Sequence, residues 1–258
     1  MVRTGKLKIL WAVVLVTAAA AAMLPRAGQD PAFHRFVDSR GLLGVPNFGN
    51  VMSNIFFVGI GCWGFLELYK RQAPGGIKLI FAILFTGITL TGLGSAYYHW
   101  APDNERLIWD RMPMTIVFMS VLALTVAEWV DRKTGVWLVV PLVALGVGSV
   151  LYWHVTEFSG KGDLRFYWWV QFFPMICIPL ILILFGHSGG YQGLRSLVWV
   201  VIWYGVAKIL EFLDGPIFTW TTVVSGHTLK HLAAAVSTGY LVGMFRERYA
   251  DKPSFHTK

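Results

Sequence analysis

The chain has 258 residues, of which 55% are hydrophobic and only 14% charged, with a formal net charge of +8. Soluble domains carry about 25% charged residues, so this chain lacks the polar groups needed to cover a water-facing surface and reads as a membrane protein. The basic excess does not point to nucleic acid, because the lysines and arginines stand at the ends of apolar runs rather than in a dense stripe; they act as topology signals. Cys62 and Cys177 lie inside apolar runs, with neither metal-pair spacing nor the density of a disulfide framework, and read as small core residues.

Apolar runs of spanning length lie at about residues 7–24, 50–69, 77–99, 107–130, 136–154, 164–186, 194–213 and 223–245. Lipid requires each to be a helix, because nothing there satisfies an open backbone. Short connections carry the breakers Pro74-Gly75-Gly76, Pro102-Asp103-Asn104, Gly160-Lys161-Gly162, Ser188-Gly189-Gly190 and Asp214-Gly215-Pro216, which imply up-and-down packing. The first run follows Lys6 and Lys8 and ends in "AAAAAM", as a secretory signal does; Met23-Leu24-Pro25 makes a poor cleavage site, so the run is expected to stay as an anchor. The fold expected is all-α: a polytopic bundle with a seven-helix core and one extra N-terminal hydrophobic helix.

Basic residues divide unevenly between the two ends of these runs. Thirteen, including Lys70, Arg71, Arg132, Lys133, Lys252 and Lys258, fall on one side and seven on the other, with Lys208 and Lys230 inside helices. The richer side is read as cytoplasmic, and both termini with it. Short loops, and outward loops without glycosylation sequons, point to a bacterial inner membrane.

Three polar clusters then fall at one depth on the outward side. In "SAYYHWAPDNERLIWD", Ser95 and His99 are four apart and share a helix face, and Asp110 opens the next helix beyond the Pro102 turn. The last run begins "SGHTLKHLAAA", which puts His227 and His231 on one face. Histidines at i and i+4 are a common grip for zinc, a third ligand coming from elsewhere, and His99 is the natural third. A zinc-protease helix has glutamate directly after its first histidine; here that place is Thr228, so the base is sought elsewhere and Asp110 is best placed.

Other polar groups are read more plainly. Asn50, Ser53 and Asn54 serve as interhelical packing bonds. Lys208 and Glu211 pair within a helix, the alternative being that Glu211 orients a metal-bound histidine. Glu67 and Glu128 snorkel or pair, His34 and His154 sit at the interface, and Trp100, Trp109, Trp153 and Trp168 form an aromatic belt.

Together "NVMSN" at 50–54, "GSAYYH" at 94–99, Asp110 and "HTLKH" at 227–231 resemble the alkaline ceramidase family, within the seven-helix membrane hydrolases that include adiponectin and progestin-type receptors. The resemblance implies Zn2+ held by His99, His227 and His231, with Ser95 and Asp110 beside it as catalytic groups. It implies cleavage of a lipid amide such as ceramide, entering from the bilayer, to a fatty acid and a sphingoid-type amine. Its core would run from 50 to 246, after an anchor (1–25) and an outward loop (26–49) and before a cytoplasmic tail (247–258). One departure stands out: a glutamate of the family's acidic calcium site is replaced by Asn47, and only Asp30 and Asp38 precede it, which leaves calcium dependence and substrate identity open. A non-catalytic receptor and a haem electron carrier are the rival classes.

Overall fold

The computed structural model describes residues 3–186 and 191–249. The Ser188-Gly189-Gly190 breaker and the tail lysines Lys252 and Lys258 lie outside the described residues. Among those described there is no β-strand. The elements are α1 (Arg3–Met23), α2 (Phe48–Met52), α3 (Ile55–Lys70), α4 (Gly75–Trp100), α5 (Asn104–Thr125), α6 (Arg132–Phe158), α7 (Arg165–Phe185), α8 (Tyr191–Phe212), α9 (Asp214–Thr221) and α10 (Gly226–Arg248). A π-helical turn, Val126–Val130, extends α5.

The described helices therefore form an all-α polytopic bundle in which seven segments are long and apolar enough to cross a membrane: α1, α2 with α3, α4, α5 with its π turn, α6, α7 and α8. The eighth expected span, α10, has the length but not the apolarity. Its polar residues face the bundle: His227, His231, Ser237 and Thr238 are all buried. The Asp214-Gly215-Pro216 sequence expected to be a plain loop instead begins α9, since proline in a first helical turn lacks only an N–H that would have no partner anyway. Two other breakers behave as read: Asp103 caps α5 by accepting the Arg106 N–H, and Gly160 turns the chain with φ +72°.

Helix α1 has no buried residue and lies against α7, where the Trp169 indole donates to the Thr17 hydroxyl at 3.1 Å. The larger apolar core, around Phe81, Phe85, Met119 and Phe245, fills the bundle away from the histidines. A smaller one, of Tyr98, Leu107, Val150, Trp153, Leu164 and Tyr167, lies beside them. Trp153 is thus fully buried rather than part of an aromatic belt, whereas Trp100 and Trp109 are exposed as a belt requires.

Residues 26–47 run between α1 and α2 and are tied down on two sides. Beside α7, Arg26 pairs with Asp163 at 3.7 Å and Ala27 accepts the Leu164 N–H, while Arg165 grips Asp163 and donates to the carbonyls of Ala22 and Leu24 at the end of α1. Arg40 grips Asp38 and donates to the carbonyls of Thr222 and Val223, just before α10. Hydrogen bonds from Arg40 and Arg165 hold both carboxyls below the usual carboxylate range. A carboxyl with a lower pKa folded than unfolded stabilises fully above the unfolded value, about 4, and loses that contribution as pH falls through the folded value. Both ties therefore persist at neutral and mildly acid pH.

Close approach of α4 and α5 depends on Gly94, where a Cβ would stand 1.9 Å from the carbonyl oxygen of Trp109. Gly94→Val is expected to lower the thermal midpoint in detergent, by the equivalent of about 1–3 kcal/mol of overpacking, and to separate Ser95 from Asp110. Gly148→Ala, which meets nothing within 4 Å, leaves the midpoint unchanged.

Candidate metal centre

Ser95 and His99 occupy the last two turns of α4, and both are buried. His227 and His231 occupy the first two turns of α10, equally buried. The start of α10 is fixed by three contacts. Ser225 caps it by accepting the Thr228 N–H, Asp214 accepts the His227 N–H at 2.7 Å, and Gly226 sits so tightly on the end of α8 that a Cβ would stand 2.3 Å from the Leu210 carbonyl oxygen. At the end of α4, the Asn47 amide donates to the His99 carbonyl at 2.8 Å.

The three imidazoles that the sequence separates are brought together. Their ring centroids form a triangle with 4.9 Å on each side, and one nitrogen from each lies within 4.8 Å of the others. Nε2 of His99 and Nε2 of His227 are 3.3 Å apart. Two ligands of a tetrahedral zinc at about 2.0–2.1 Å stand about 3.3 Å from one another, so the donor set and its spacing fit a small divalent cation.

Ser53 completes the arrangement in a way the sequence did not reveal. Its Oγ lies 2.8 Å from His231 Nδ1 and also donates to the Asn50 carbonyl at 3.2 Å. With its own proton committed, Ser53 accepts the Nδ1 proton of His231, which leaves the Nε2 lone pair of that ring for a metal. Ser53 thus orients a candidate ligand rather than merely packing. Asn50 does bond between helices, accepting the Thr228 hydroxyl at 2.9 Å, and this turns Thr228 away from a catalytic role. Glu211 does not orient a histidine; it is bonded by Lys208 and by Lys230.

Asp110 stands in the second turn of α5 and faces the same space as Ser95. Both line a cavity of about 350 Å³ that also takes in His231 and runs inward past Ile88, Val121 and Leu241. Arg111, next to Asp110, is buried with its guanidinium 4.4 Å from the Trp153 ring centre and 4.7 Å from that of Tyr167. Phe36, from the tethered segment, packs on the rings of His99 at 4.6 Å and His227 at 4.7 Å, covering the histidines away from the cavity. His34 holds that segment in place by bonding Tyr98 and Asn104, a structural role for a residue read as merely interfacial. The acids of the same segment are engaged locally, Asp30 by the Ala32 N–H and Asp38 by Arg40.

Ser53→Ala is expected to weaken divalent-metal affinity about 10–100-fold, read by competition with a coloured chelator. Phe36→Ala is expected to speed removal of the metal by a water-soluble chelator with less effect on affinity.

The sequence profile of the Ceramidase family matches residues 44–210. No curated protein matches the chain at a significant level. The matched region contains Ser53, Ser95, His99 and Asp110 and ends before His227 and His231, which join the cluster through the packing of α10 on α8 and α3. The match covers more than half of the chain, which therefore belongs to the Ceramidase family.

Proposed function

We propose that this protein is a zinc-dependent amidohydrolase of the membrane that cleaves the amide bond of ceramide-like lipids to a fatty acid and a long-chain amine. The observation that carries the reading is the juxtaposition of three buried imidazoles with Ser95 and Asp110 at one end of a cavity whose inner part is apolar. His99, His227 and His231 would hold the metal. A zinc ion there supplies Lewis acidity and lowers the pKa of a water to about 7.

The chain's own groups then perform the proton transfers. Asp110 accepts a proton from the attacking water as its oxygen bonds to the amide carbonyl carbon. Ser95, beside it, donates a hydrogen bond to the carbonyl oxygen as negative charge develops, a contribution of about 3 kcal/mol for one such donor. Asp110 returns the proton to the amide nitrogen as the C–N bond breaks, so that water is divided between a carboxylic acid and a neutral amine. The apolar walls match a lipid, and Phe36 keeps bulk water from the histidines. Substrate is expected to enter from the bilayer, through the membrane-facing side of the bundle.

A haem centre fits less well: rings 4.9 Å apart leave no room for a porphyrin between them.

Asp110→Asn is expected to retain the metal while turnover falls at least about 10²-fold, the scale of general acid–base catalysis. His231→Ala is expected to lose both metal and turnover. Metal analysis and fatty-acid release, measured on one detergent-purified preparation with ceramide, check this; full hydrolysis by both variants would remove the assignment.

A further inference from the structure

The cavity that holds Ser95 and Asp110 is also lined by Lys208, Glu211 and Lys230, three charged groups that the hydrolysis described above does not use. One carboxylate serves both lysines. Glu211 Oε1 accepts from Lys230 Nζ at 3.0 Å, and its Oε2 accepts from Lys208 Nζ. An ammonium has three donors, and among the described residues neither lysine has a second hydrogen-bond partner. The three side chains are 36%, 27% and 20% exposed in the order Lys208, Glu211, Lys230, and all three line the cavity.

A polar pair bonding two helices needs one lysine and one glutamate, so the second lysine is surplus to packing. Counting Arg111 and Asp110 as well, the lining groups carry three positive and two negative charges, and Glu157 behind the lining faces Arg111 and balances them. A divalent ion at the histidines would make the site net positive. Net positive charge within an apolar bundle is unfavourable, and a neutral lipid amide would do nothing to relieve it. An anion would.

We propose that the substrate of this chain is a lipid amide whose amine half carries an anionic group, a carboxylate, phosphate or sulfonate, received by the spare donors of Lys208 and Lys230. The inference rests on the hydrolase reading and narrows its substrate class. Lys208 and Lys230 are then specificity residues that distinguish a charged lipid amide from a neutral one of the same shape. Glu211 holds both ammonium groups at a fixed spacing on the wall.

The test uses full-length protein in detergent micelles, loaded with zinc, and two matched pairs of substrates: ceramide against ceramide 1-phosphate, and an N-acylethanolamine against the N-acylglycine of equal chain length. In at least one pair, kcat/KM for the anionic member is expected to exceed that of the neutral member about tenfold or more, the scale of one hydrogen bond to a charged group. Lys208→Gln and Lys230→Gln are each expected to lower that ratio by a similar factor, with the metal content of the unmodified protein retained. Independently of turnover, hexadecyl sulfonate is expected to raise the thermal midpoint more than hexadecanol does, and Lys208→Gln to abolish the difference. Preference for the neutral member in both pairs overturns the proposal, as does a ratio that neither lysine variant alters. Inhibition by free fatty acid with no preference within either pair assigns the lysines to the product carboxylate and also overturns it. If none of the four substrates is cleaved, the hydrolase reading fails instead, and the sulfonate shift alone decides whether an anionic lipid is bound: no shift, or one that survives Lys208→Gln, overturns the proposal.

Discussion

Three imidazoles buried edge to edge between the end of α4 and the start of α10 are the arrangement around which the rest of this bundle is organised. His99 and His227 are 128 residues apart in the chain, yet their Nε2 atoms stand 3.3 Å from each other. Neutral imidazole tolerates such burial where a charged group would not, and nitrogens at this distance fit a shared small cation. The features nearby all serve that meeting. Gly226 lets α10 start against the end of α8, Asp214 holds its first turn, Asn47 holds the last turn of α4, and Ser53 sets the proton on His231.

Polarity is distributed along the bundle rather than across it. Away from the histidines the interior is a dry aromatic and aliphatic core around Phe81, Phe85 and Phe245. Toward them it becomes a cavity with an apolar inner part and a charged rim of Asp110, Lys208, Glu211 and Lys230. That gradient matches an amphiphile whose reacting bond lies between a greasy part and a polar part. The same gradient explains α10. Its polar residues face inward because the site is inside, so the helix that contributes most to the centre is the one least recognisable as a membrane span.

The segment from 26 to 47 closes the other side of the centre. It has little regular structure beyond the 3-10 turn Pro31–His34, and what fixes it is polar: Arg40 to the carbonyls of Thr222 and Val223, Arg26 to Asp163, and His34 to Tyr98 and Asn104. Phe36 is placed on two of the three histidine rings by these ties. The family match runs over residues 44–210, so that most of this cover and α10 lie outside it. Ser95, His99 and Asp110 fall within the matched region, and His227 and His231 reach them through the packing of α10.

Sequence alone determined the all-α membrane architecture, because a bilayer admits few alternatives for long apolar runs, and it singled out His99, His227, His231, Ser95 and Asp110, because such residues are rare in membrane spans and here fall at one depth. It left Glu67 and Glu128 as snorkelling or paired, and the structure pairs them with Arg71 and Arg248. Only the tertiary structure decided which polar residues act on one another. Ser53 reads as a packing hydroxyl until α10 is laid beside it, Trp153 reads as an interfacial tryptophan until Arg111 is found against its face, and Glu211 reads as the partner of Lys208 until Lys230 reaches it from another helix. The reason is physical. Periodicity and hydropathy are properties of one helix in lipid, whereas a hydrogen bond between helices depends on their rotation and offset, which are set by close contacts such as Gly94 on Trp109 that no local pattern encodes.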